Sequence, residues 1–125
     1  MTLYPSLDEV LTAHARLLVL FGGAPGIRDR GALEGALARP QSGYYRDVIE
    51  QAAALLESLS QNHPFVDGNK RTAIVATAAF LRMNGFRLEF DDPEAYHFLM
   101  QLFESKQFHF ERLEPWLRQH AQPVP

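Results

Sequence analysis

Cysteine is absent from the 125 residues, which removes disulfides, thiolate metal ligands and a thiol nucleophile from consideration and favours the cytoplasm. An excess of positive charge is also missing: 12 Lys and Arg against 15 Asp and Glu leave a formal net charge of −3. That argues against general nucleic-acid binding, which needs a basic surface to displace counterions. No apolar run reaches the length of a membrane span, and no basic stretch followed by an apolar core opens the chain. The expectation is a soluble cytoplasmic protein with no export signal. The glycines at 22–26 are not followed by Lys-Ser or Lys-Thr, so they form no P-loop, and no Gly-x-Gly-x-x-Gly string occurs. Protein-kinase signatures, repeats and low-complexity tracts are likewise missing. What remains is a chain long enough for a real core and short enough for one domain, 1–125.

The pattern that fills it is helical. Ser6, Leu7, Asp8 and Glu9 read as a capping box. Val10, Leu11, His14, Leu17, Leu18 and Phe21 then fall on one face at helical spacing, until Gly22 and Gly23 end the helix. A second helix is expected over 29–39, stopped before Pro40, and a third over 47–61 with Val48, Ala52, Leu55, Leu56 and Leu59 on one side. The stretch 70–84 is apolar on nearly every side from 73 to 81 and is followed by Gly85, a C-terminal stop. A helix hydrophobic all round is buried. Residues 86–90 alternate apolar and charged and read as a short extended piece. Asp92 and Pro93 read as cap and first residue of another helix, and a last helix is expected over 110–120. His14, on an apolar face, reads as a hydrogen-bonded core histidine. His97, His109 and His120 lack metal-ligand spacing and read as surface or satisfied side chains. Gly31 and Gly35 read as a small-residue pair that lets helices approach closely.

The chemistry concentrates in nine consecutive residues, His63-Pro-Phe-Val-Asp-Gly-Asn-Lys-Arg71. Moving a phosphorus group needs a base, a metal carboxylate, donors around the phosphate oxygens and positive charge where negative charge develops. His63 can take a proton from an attacking hydroxyl, because an imidazole titrates near neutrality. Asp67 is the candidate magnesium ligand, since that ion takes one or two carboxylates along with phosphate oxygens. Gly68 permits a backbone nest around an anion, and Asn69 reads as the N-cap of the following helix. The positive end of that helix opens on the loop. Lys70 and Arg71 add cations where the helix dipole disfavours them, which points to an anionic partner.

The run HPFVDGNKR resembles the signature of the Fic/Doc superfamily, His-x-Phe-x-(Asp/Glu)-Gly-Asn-x-x-x-x-Arg, and is most similar to its Doc (death-on-curing) branch. Fic proteins place Gly after the Asn and a second Arg further on; here those places hold Lys70 and Ile74. The segments FGGAPGIRD at 21–29 and FLRMNG at 80–85 extend the resemblance over most of the chain. The resemblance implies an all-α fold, a compact helical bundle around a buried central helix with a short flap loop or hairpin. It implies a toxin that uses ATP and Mg2+ and transfers the γ-phosphate to a hydroxyl of elongation factor Tu. On that pattern His63 is the general base, Asp67 the metal ligand, and Gly68, Asn69, Lys70 and Arg71 the phosphate cradle. Val75 stands where a polar nucleotide contact is expected. Gln41, Ser42, Gly43, Tyr44 and Tyr45 correspond to the flap that holds a target peptide by strand addition, although they read equally well as a plain loop. The inhibitory string Ser/Thr-x-x-x-Glu-Gly/Asn does not occur, so inhibition is expected from a separate Phd-like antitoxin. Two other readings stay open: AMP transfer to a protein hydroxyl, and a non-catalytic nucleotide-binding regulatory module. A pure binder has no need of His63, which favours catalysis.

Overall fold

Three short polar side chains set where the first helices begin. Ser6 accepts the Glu9 N–H at 3.1 Å while Glu9 reaches back to the Ser6 N–H at 2.9 Å, so the expected capping box is present. Asp29 and Asp47 each accept an N–H three residues on, at 3.0 Å. In the computed structural model, which describes residues 1–89 and 93–125 and only the backbone of 95 and 96, the helices are α1 (Leu7–Phe21), α2 (Arg30–Ala38), α3 (Val48–Gln61), α4 (Asn69–Met83), α5 (Pro93–Glu104) and α6 (Phe110–His120). Pro40 does not stop α2 cleanly: the chain continues through a 3-10 turn, Arg39–Gln41, with the proline in its first turn. Phe90 and Asp92, the expected end of the extended piece and cap of α5, lie outside the described residues. No helix among those described is long and apolar enough to cross a membrane.

The extended piece is real but short, β1 (Phe86–Leu88), and it has a partner the sequence did not announce. β2 (Ala121–Pro123) lies antiparallel to it, with Phe86 opposite Pro123 and Leu88 opposite Ala121. Asn84 closes the other end of the chain, its carboxamide pairing with both backbone groups of Leu3 at 2.9 Å.

The bundle is all-α around a buried central helix, and that helix is α3. It packs against α2, α4 and α6, and buries ten residues, including Ala52, Ala53, Ala54, Leu55, Leu56 and Leu59. Its run of alanines presents a thin surface that neighbours can approach closely. The stretch 73–81 departs from its expected all-round burial. On α4, Thr72, Ala73, Ala76, Thr77, Phe80 and Leu81 are buried, while Arg71, Val75, Ala79 and Arg82 form an open stripe. Alanine and valine are compatible with either environment, so their apolar character did not settle the side. The glycine pair on α2 does not mediate close packing: a Cβ at Gly35 would meet nothing within 4 Å among the described residues.

Asp47 joins two elements, capping α3 and pairing with Arg118 of α6 at 3.1 Å. Partial burial raises its carboxyl, but the Arg118 guanidinium and the Glu50 and Ile49 N–H groups outweigh that and hold it below the usual carboxylate value. A carboxyl depressed in this way stabilises the fold above its unfolded pKa, about 3.9, and the stabilisation is lost as pH falls toward the folded value. Asp47→Asn retains a capping oxygen but not the charge. It should lower the urea midpoint at neutral pH by an energy below about 1 kcal/mol, since both partners are half exposed. The gap should narrow as the pH falls below the unfolded carboxylate value, and a gap independent of pH would contradict the pairing.

Candidate active site

The loop between α3 and α4 is exposed at its tip yet hangs from one buried ring. Phe65 is 1% exposed, and its ring lies flat on that of His14, with centroids 3.8 Å apart and planes within 8°. His14 Nε2 lies 2.8 Å from the Asp67 carbonyl. A carbonyl only accepts, so Nε2 carries the proton and donates. The expected core histidine is therefore also a support of the loop. The N-cap is Gly68 rather than Asn69. Gly68 holds φ +78°, and no side chain among the described residues caps the helix. Asn69 instead turns its carboxamide back, accepting the Phe65 N–H and donating to the Phe65 carbonyl, both at 2.9 Å. The first intrahelical bond of α4 runs from the Thr72 N–H to the Gly68 carbonyl, which leaves the N–H groups of Asn69, Lys70 and Arg71 for another acceptor.

A second segment pins the loop from outside. The Arg28 and Asp29 N–H groups both donate to the Pro64 carbonyl, at 2.8 and 3.0 Å, and Val66 donates to Gly26 at 3.0 Å. Ile27 and Phe65 form an isolated antiparallel bridge. The Arg28 side chain donates to the His63 carbonyl at 2.6 Å and the Asn62 carbonyl at 2.9 Å. His63 itself sits at φ +47°, a left-handed conformation that costs a non-glycine residue about 1–2 kcal/mol and that surrounding structure must hold.

His63, Asp67, Gly68, Asn69, Lys70 and Arg71 line one cavity of about 470 Å3, with Val66, Ile74 and Met100 as its apolar part. That is the size of a small-ligand site. The His63 imidazole has no hydrogen-bond partner among the described residues. Lys70 Nζ stands 4.8 Å from the Phe103 ring centroid, and the Arg71 guanidinium 4.5 Å from that of Phe21. Neither cation meets a carboxylate among the described residues, so aromatic faces hold both without neutralising them. Asp67 is partly occupied by its own loop: Oδ1 accepts the Gly68 N–H at 2.9 Å and Oδ2 the Ala24 N–H at 3.2 Å. Gly23 is needed there, because a Cβ would come within 3.0 Å of Asp67 Oδ2. No group of three or more metal-ligating side chains exists among the described residues. One exposed carboxylate with lone pairs to spare still fits magnesium carried on phosphate oxygens, since that ion keeps most of its waters.

Gln41, Ser42, Gly43, Tyr44 and Tyr45 form no strand and do not line the cavity. Tyr45 is anchored, its hydroxyl accepting from Arg39 Nε at 2.7 Å and its ring tilted against Phe110, while Tyr44 is 82% exposed. Val75 faces the open side of α4 and lies outside this cavity. His120 Nδ1 bonds the Trp116 carbonyl at 2.8 Å and His109 approaches Glu57, so both are satisfied away from the site.

The profile of the Fic/DOC family matches residues 4–81, from the segment before α1 nearly to the end of α4. The chain belongs to the Fic/DOC family. It is 46% identical over 96 residues to the protein named Toxin Doc of Mycolicibacterium smegmatis, covering 73% of this chain and 72% of that one. It is 36% identical over 93 residues to the protein named Protein kinase doc of Escherichia phage P1, covering 71% and 73%. In this Fic/DOC chain the side chains that line the cavity come largely from the contiguous run 63–71. His14, Arg28, Phe21 and Phe103, which hold it, come from other elements, and no local pattern announced that they would meet there.

Asn69 is the tie between loop and helix. Asn69→Ala should remove both Phe65 bonds and lower stability by about 1–3 kcal/mol, read as a shift of the urea midpoint. An unchanged midpoint would show that Phe65 needs no such tie.

Proposed function

We propose that this Fic/DOC chain is a Doc-like toxin of a toxin–antitoxin system, transferring the γ-phosphate of ATP to a Ser or Thr hydroxyl of elongation factor Tu and so inhibiting translation. The observation that carries the reading is the sharing of one cavity by an imidazole and a helix N-terminus, that of α4, neither of which meets a side-chain partner among the described residues. The names of the two relatives, one a toxin and one a protein kinase, agree with it. The cavity offers the phosphates the free N–H groups of Asn69, Lys70 and Arg71 together with the positive end of a 15-residue helix. Lys70 and Arg71 supply charge for the oxygens of the group in flight. His63 accepts the proton of the attacking hydroxyl. The hydroxyl oxygen then forms the new bond to the γ-phosphorus, the bond to the bridging oxygen breaks, and ADP leaves. Asp67 would hold a magnesium ion, whose contribution when bound is neutralisation of the phosphate charge.

The same reading gives the open stripe of α4 a use. Val75 and Ala79 face Leu17 and Leu20 of α1 across an apolar groove of about 560 Å3, with Asp8, Glu9 and Arg16 on its rim. A Phd-like antitoxin segment that folds on binding would lay its apolar side there. A cytoplasmic location follows from the proposed target.

The test is transfer from ATP labelled at the α or γ phosphate to elongation factor Tu with magnesium present, followed by the added mass. A γ label with one phosphate of added mass is the expected result; an α label with the mass of AMP would replace kinase by AMP-transfer chemistry. His63→Ala should fold and bind ATP as the parent does while losing at least about 100-fold in transfer rate. Unchanged transfer would remove His63 from the base role.

A further inference from the structure

Three successive carbonyl groups at the end of α3, those of Asn62, His63 and Pro64, are all taken by Arg28 and Asp29. Two of the four bonds come from a single side chain. Asn62 is the C-cap of α3, so the Arg28 guanidinium also lies at the negative end of that helix, where a cation is favoured. Its planar fork can span two neighbouring carbonyls as an ammonium cannot. The residue between the two is the one that most needs holding. His63 is at φ +47° and precedes a proline, which restricts its backbone further. Among the described residues nothing else bonds its carbonyl and its side chain has no partner to orient it. The direction of the imidazole is therefore set through the backbone.

We propose that Arg28 is a positioning residue, whose guanidinium spans the Asn62 and His63 carbonyls and so locks His63 in the left-handed conformation that presents its imidazole to the cavity. Arg28 touches neither the cavity nor anything bound in it, and acts only through His63. The consequence for the reaction rests on His63 as the base, whereas the conformational part does not. Loss of the lock lets His63 relax toward negative φ, swinging the ring away from the acceptor hydroxyl while the phosphate donors of α4 stay in place. The signature is a fall in kcat with an unchanged KM for ATP.

Arg28→Met removes both donors and keeps the stem; Arg28→Lys keeps the charge but reaches one carbonyl. Two readouts are needed. The one-bond Cα–Hα coupling of His63 distinguishes positive from negative φ in solution, without any substrate. The second is transfer from γ-labelled ATP to elongation factor Tu across ATP concentrations, beside the parent and His63→Ala. Arg28→Met should move the coupling toward the negative-φ value and lower kcat about 10- to 100-fold, with KM for ATP within about twofold of the parent. Arg28→Lys should fold and recover part of both. A folded Arg28→Met or Arg28→Lys protein with the parent's coupling overturns the proposal, whatever its activity. A changed coupling in a protein whose parent transfers no phosphate upholds the lock and overturns instead the kinase reading.

Discussion

The site depends on the burial of one ring beneath an exposed loop. Phe65 lies in the core, and full burial of such a side chain is worth about 1.5–3 kcal/mol. Both of its backbone groups are taken by Asn69 and its face by His14. With that residue fixed, the residues on either side have little freedom: Pro64 is bonded to 28–29 and Asp67 to His14 and Ala24. A loop that carries an exposed imidazole and an exposed carboxylate is thus tied down from below.

The charges are managed by the same economy. Had Lys70 and Arg71 been paired with carboxylates, an incoming phosphate would have had to displace them. Phe103 and Phe21 hold them by their faces instead, an attraction that leaves the positive charge available. The helix behind them has no side-chain cap among the described residues, so its first N–H groups are also open to an acceptor. Each departure from ordinary helix-start chemistry favours an anion at the same place, and their agreement is stronger than any one of them.

Helix starts were legible because Ser6, Asp29 and Asp47 act on N–H groups within three residues, a range a sequence reading can see. The imidazole, carboxylate and cations that share the cavity stood out for the same reason, being contiguous. β2 was not, since a three-residue strand has no period to read and its partner lies far away in sequence. The N-cap was misplaced by one residue because asparagine is a strong capping residue, and only its pair of bonds back to Phe65, four residues earlier, reveals the different role. The open stripe on α4 was hidden by residues whose size and polarity suit either side. The supports from Arg28, His14, Phe21 and Phe103 depend on how α1, α5 and the 26–29 segment fold back, which no local pattern encodes.

The central claim, that the N-terminus of α4 is the anion site of a phosphoryl-transfer centre, is tested most directly by following backbone amide resonances while magnesium and ATP are added. The account predicts that Asn69, Lys70 and Arg71 move most, their amide protons shifting downfield as they gain an acceptor. Nucleotide binding that leaves those three amides unmoved, with the largest shifts on α5 and α6, would contradict it.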